Sequence, residues 1–167
     1  DKDVMSKKPR NPKESFFSEG AGMRAGIAGT LIGILTLIAF YLGMIHNGGV
    51  IPLTDVKYFE TKEGIEVLTY GRTMAFIVLT FSQLFYSLSM RNSKKTIFEV
   101  GFFGNKMLIL SIIVGIALQV GLISIPPISA VFKVTQMDSS HWGMVIGLSL
   151  IPLIVNEIIK VVTRKNS

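Results

Sequence analysis

Few side chains in this 167-residue chain could meet a cation or move a proton, and most of them lie inside long apolar stretches. Gln83 has Thr80 about one helical turn before it and Ser87 one turn after it, so on a helix the three form a polar stripe. An amide oxygen flanked by hydroxyls can supply neutral ligands to a hard cation. It can equally hydrogen-bond a neighbouring helix, and the residues alone leave both readings open. Gln119 reads as an interhelical hydrogen-bonding group. Glu157 and Lys160 are spaced i,i+3, which predicts an ion pair on one helical face, with Asn156 beside it. His46 and His141 each sit at the edge of an apolar run, where a lone imidazole is read as structural. The sequence contains no catalytic dyad, metal-ligand cluster, nucleotide motif or glycine loop for phosphate. Zero Cys excludes disulfides, thiolate metal sites and cysteine redox chemistry. No catalytic and no cofactor-binding residue is therefore assigned.

The elements that position these groups are four uncharged runs over residues 25–45, 73–90, 107–125 and 142–162, the last continuing past Asn156 and Glu157. Each approaches or reaches the ~20 residues a helix needs to cross about 30 Å of hydrocarbon. The chain is 49% hydrophobic and 17% charged, with mean hydropathy +0.52, and its charges fall between the runs rather than along one face of each. Segments apolar all round expect lipid as their solvent. The first run is too long for a signal-peptide core and lacks a small-residue cleavage pattern after it. All basic residues except Lys57, Lys62, Arg72 and Lys133 lie in the N-terminal segment, the middle loop and the tail. The positive-inside rule then puts both termini and the middle loop in the cytoplasm. The expected fold class is all-α, a polytopic membrane protein with four transmembrane helices and cytoplasmic N- and C-termini. A multi-pass place in the cell membrane follows, with the lipid bilayer as partner. The net charge of +6 is explained by anchoring at anionic headgroups, and no basic patch with interleaved aromatics points to nucleic acid.

Residues 1–24 read as a cytoplasmic juxtamembrane linker, interrupted by Pro9 and Pro12; 25–163 as the four-helix membrane domain; and 164–167 as a cytoplasmic tail. Ala21, Ala25, Gly29 and Gly33 recur every four positions, a small-residue stripe that lets another backbone approach. Gly29 and Gly33 are the helix-packing candidates, with a partner inside this chain or outside it. Alternation over 56–67 predicts a short extracytoplasmic hairpin. Pro126 and Pro127 mark the exit of the third span, and Trp142 opens the fourth at the same interface. Asp138, Ser139 or Ser140 is expected to cap that helix, and Pro152 to kink it.

Five segments carry a resemblance. PRNPKESFF at 9–17 resembles the stretch after the sixth membrane helix of P-type cation-transporting ATPases. RTMAF at 72–76 resembles the start of that family's eighth helix, and RNSKKTIFEVGFFGNK at 91–106 its loop to the ninth. IPPISAVFKV at 125–134 resembles the loop before the tenth, and NEIIK at 156–160 the ending of the last helix. In that order they cover the whole chain, and they identify it as similar to helices seven to ten of a pump most like bacterial calcium-transporting ATPases of the sarcoplasmic-reticulum type. A start at Asp1 rather than Met agrees with a piece of a longer protein.

The resemblance implies a support domain of an ATP-driven cation pump, with calcium export the expected activity. It implies that the phosphorylated Asp, the nucleotide site and the main ion ligands lie in parts absent from this chain. The parent is expected to use ATP and Mg, with Ca as the transported ion, and this segment to hold no cofactor of its own. Its partners would be the remaining membrane helices and the cytoplasmic domains of the same pump, with Gly29 and Gly33 facing the fifth helix. The resemblance matches Gln83 to a position that carries a carboxylate in two-site calcium pumps, which makes it a neutral contributor near the ion site. The competing reading is a free-standing, non-enzymatic four-helix transporter or accessory subunit. A self-contained transporter would need an ionisable group at the midplane, where this chain offers Gln83 and Gln119.

Overall fold

The computed structural model describes residues 21–48, 57–92 and 95–165, so most of the linker lies outside the described residues. Those residues form six helices and two single 3-10 turns, with no strand among them. Helix α1 (Ala21–Gly48), α2 (Lys62–Ser89), α4 (Lys106–Ser124) and α6 (Ser139–Lys165) are the long ones. All four are long and apolar enough to cross a membrane. The short α3 (Ile97–Val100) and α5 (Pro126–Phe132) lie in the connections on either side of α4.

Local chemistry sets the boundaries. Thr61 caps α2, its side chain accepting from Gly64 N at 3.1 Å, and Asn105 caps α4 through Leu108 N at 3.1 Å. Thr96 and Glu99 form a reciprocal capping box around α3. Ile125 breaks the helix after Ser124, and the two prolines that follow open α5, where a missing N–H costs nothing. That short helix ends at Lys133, which adopts a left-handed conformation (φ 52°).

Two expectations need adjustment. The hairpin over 56–67 is not formed within its described residues: 58–60 make a 3-10 turn and α2 begins at Lys62, well ahead of the apolar run at 73. Thr61 supplies a start signal there that outweighs the short alternating pattern. The segment after the third span contains a helix, not only a loop. Asp138 precedes α6 and contributes its carbonyl, which accepts from His141 N at 3.0 Å and Trp142 N at 3.4 Å. Helix α6 also continues through Pro152, which is fully buried.

Helix α2 is the centre of the bundle, packed mainly on α1 and α6 and more lightly on α4. Its Tyr70, Met74, Ile77, Val78 and Phe81 form one core with Leu35 and Ala39 of α1, Ile123 of α4 and Val145 of α6. The tightest approach is between α1 and α2. A Cβ on Gly71 would lie 2.7 Å from the Phe40 carbonyl oxygen, and one on Gly43 2.8 Å from the Gly71 Cα. Two glycines therefore let these backbones meet, as small residues do between membrane helices. Gly29 and Gly33 behave otherwise: both are exposed, and a Cβ on either would meet nothing within 4 Å. The predicted stripe has no partner among the described residues.

Candidate functional site

Three polar joints cross the bundle, one at each end and one between. At the end that holds the start of α1 and the close of α6, Lys160 is buried, its side chain only 2% exposed. Its ammonium pairs with Glu157 Oε1 at 2.7 Å and donates to the Ser89 carbonyl at 2.5 Å. Ser89 ends α2, so a cation on α6 neutralises the negative end of that helix. The Ser89 hydroxyl in turn donates to Glu157 Oε1 at 2.5 Å and accepts from Asn156 Nδ2 at 2.6 Å. Glu157 Oε2 accepts from Ile97 N at 2.8 Å, at the start of α3. The expected ion pair is present, and it belongs to a network that locks α6 to α2 and to α3.

Beside that network an apolar cavity of about 500 Å³ opens between α2, α4 and α6, lined by Phe85, Ile112, Ile116 and Leu153 among others, with Glu157 at its edge.

The middle joint is a single bond. Gln119 of α4 donates from Nε2 to Thr80 Oγ1 of α2 at 2.8 Å, and Thr80 passes its own proton to the Phe76 carbonyl at 2.8 Å. This divides the expected polar stripe. Thr80 is engaged with α4, Ser87 donates back to the Leu84 carbonyl at 2.6 Å, and Gln83 is exposed with no hydrogen-bond partner among the described residues. Leu79 and Met90 share its open strip of α2. Two neighbouring oxygens, Ser82 Oγ and the Tyr86 hydroxyl, are buried without a partner among the described residues.

At the opposite end, Tyr70 of α2 meets His141 in the first turn of α6 through its hydroxyl and Nδ1. The same hydroxyl accepts from Asp138 N at 3.3 Å, and Thr73 Oγ1 accepts from Thr135 N at 3.0 Å. His46 of α1 packs its ring against His141, with centroids 4.8 Å apart. Sequence reasoning treated the two histidines as isolated because more than half of the chain separates them; no local signal pairs them. Ser89, Tyr70 and Thr73 were missed for the same reason. No group of three or more His, Cys, Asp or Glu side chains among the described residues could hold a metal ion.

The family model described as cation transporting ATPase, C-terminus, matches residues 1–162. Calcium-transporting ATPase 1 of Bacillus cereus is 45% identical over 166 residues, which cover 99% of this chain and 18% of that protein. A calcium-transporting ATPase of Bacillus subtilis is 32% identical over 150 residues, covering 90% of this chain and 15% of the relative. The mouse calcium-transporting ATPase type 2C member 1 is 30% identical over 164 residues, covering 98% and 16%. The chain thus spans less than a fifth of the length of the relatives it matches.

Proposed function

Because the chain belongs to the cation-transporting ATPase family, as its C-terminal membrane region, we propose that it is the support domain of an ATP-driven pump that exports calcium. The observation that carries this reading is the 45% identity, over 99% of the chain, to a protein named a calcium-transporting ATPase. ATP and Mg act in domains outside this chain, and calcium is the cargo. The four helices buttress the ion-binding helices rather than form the ion site.

Two uncovered faces support the buttress role. An amide turned toward hydrocarbon without a partner is costly, so Gln83 on the open strip of α2 favours a covering segment from the rest of the pump. Gly29 and Gly33 leave room on α1 for a second close-packed helix, and the fifth membrane helix of the parent is our assignment. Gln83, once covered, lies near the transported ion and contributes a neutral oxygen. The distribution of Lys and Arg sets the ends that carry Arg24, Lys95 and Lys160 in the cytoplasm. Both termini are then on the inner side of the cell membrane.

The test is reconstitution of the full-length protein in vesicles, with ATP hydrolysis and uptake measured while calcium, manganese, sodium and potassium are varied singly. Calcium-stimulated hydrolysis coupled to calcium uptake is expected. Stimulation by a monovalent ion alone, with calcium inert, would overturn the assignment.

A further inference from the structure

We propose that Tyr70, His141 and His46 form a proton-operated clasp: neutral His141 fastens the start of α6 to α2, and acid releases it. The Tyr70 oxygen accepts from Asp138 N, and its single proton can go to His141 Nδ1 when that nitrogen is the unprotonated acceptor of the neutral ring. In that arrangement the Tyr70 hydroxyl uses both its proton and a lone pair. A proton arriving on Nδ1 turns the acceptor into a donor and leaves the Tyr70 hydroxyl hydrogen with no acceptor in the joint.

Three surroundings bias the outcome. His141 is buried (8% exposed) and sits in the first turn of α6. His46 lies in the last turn of α1, with its ring 4.8 Å from that of His141. Two imidazolium rings at that distance repel. The Asp138 carboxylate, on the residue whose amide Tyr70 holds, is exposed. On α2 the charged neighbours Glu66 and Arg72 are both exposed.

What opens is defined by geometry. The Asp138 amide is held by Tyr70, and the Thr135 amide by Thr73 one turn along the same helix, so the α5–α6 connection hangs on this stretch of α2. His46 adds the end of α1 to the same point. Release would free the connection while the Lys160 network at the far end of α6 keeps that helix docked. The clasp rests on contacts within this chain and does not depend on which ion the parent carries. By the topology proposed above, the clasp faces the extracytoplasmic side.

Hydrogen–deuterium exchange of the full-length protein tests it, with rates corrected for intrinsic pH dependence and compared between about pH 7.5 and about pH 5.5, the range an imidazole crosses. Peptides spanning 134–142 should lose protection by roughly tenfold at the acid end, while those spanning 153–163 do not change. Tyr70→Phe should show the low protection at both pH values, because it has no hydroxyl to lose. The exposed His46→Gln, which leaves the Tyr70 joint intact, should show a smaller acid loss than the wild type. Equal protection of 134–142 in the wild type at both pH values would overturn the proposal, as would an acid loss of the same size in both variants.

Discussion

Lys160 of the last helix donates to the main-chain carbonyl of Ser89 at 2.5 Å, across 71 residues of sequence and from a side chain that is almost wholly buried. The same ammonium holds Glu157, so the cation has two duties: it terminates α2 and it neutralises a carboxylate that Ser89 and Ile97 also bind. Lys160→Met should lower the stability of the full-length protein by about 3–5 kcal/mol, because Glu157 is left as an uncompensated charge among buried partners. Adding Glu157→Gln should restore part of that loss. A thermal-melting double-mutant cycle in detergent measures the coupling, and simple additivity of the two losses would contradict a shared network.

The α1–α2 contact gives a contrast between glycines. Gly71→Ala places a methyl group 2.7 Å from the Phe40 carbonyl, against backbone that cannot swing aside, and should cost about 1–3 kcal/mol as an overpacked contact. Gly29→Ala and Gly33→Ala meet open space among the described residues. In the full-length protein they separate two cases. A loss comparable to that of Gly71→Ala means that a helix from elsewhere in the pump lies on the stripe, and no loss in melting or transport means that lipid does.

How much of this was legible in sequence depended on the range of the interaction. The four long helices follow from hydropathy and length, since a bilayer demands that each segment satisfy its own backbone. The Glu157–Lys160 pair follows from an i,i+3 spacing, which is local. Its burial does not, because Ser89 and the Ile97 amide arrive from a different part of the chain. The start of α2 was misplaced because 62–72 is polar enough to end an apolar run while still being helical, and Thr61 was the readable cue. Gly43 and Gly71 were overlooked in favour of a regular four-residue stripe; single close approaches have no period to detect. Gln119 was read correctly as interhelical glue, and its partner Thr80 had been grouped with Gln83 instead.

That pair yields an ordering. Gln119→Leu removes one interhelical bond but leaves Thr80 bonded to the Phe76 carbonyl, so the loss should be near the membrane average of about 0.6 kcal/mol. Thr80→Val strands the largely buried Gln119 amide and should cost more, about 1–3 kcal/mol. Unfolding in detergent with a graded denaturant would compare them. The reverse order would mean that Gln119 has a second partner elsewhere in the parent protein.

Under the proposed function, Gln83 is the residue that brings this domain to the transported ion. Its side chain is exposed on α2 and takes no part in the Thr80–Gln119 bond, so replacing it should leave the four-helix bundle standing. Gln83→Leu is therefore expected to melt within about 0.5 kcal/mol of the wild type. Gln83→Glu keeps the shape and adds one ionisable oxygen group, and affinity for a hard cation is tuned by the number of charged ligands. In the reconstituted full-length pump the variant should shift the calcium concentration for half-maximal ATPase by several-fold, on the order of tenfold at most, and make that shift pH-dependent. The count of calcium ions moved per ATP should be measured beside it, since a restored carboxylate can complete a second site. Unchanged affinity, pH dependence and ion count in Gln83→Glu would remove Gln83 from the ion path and leave this domain a purely mechanical support.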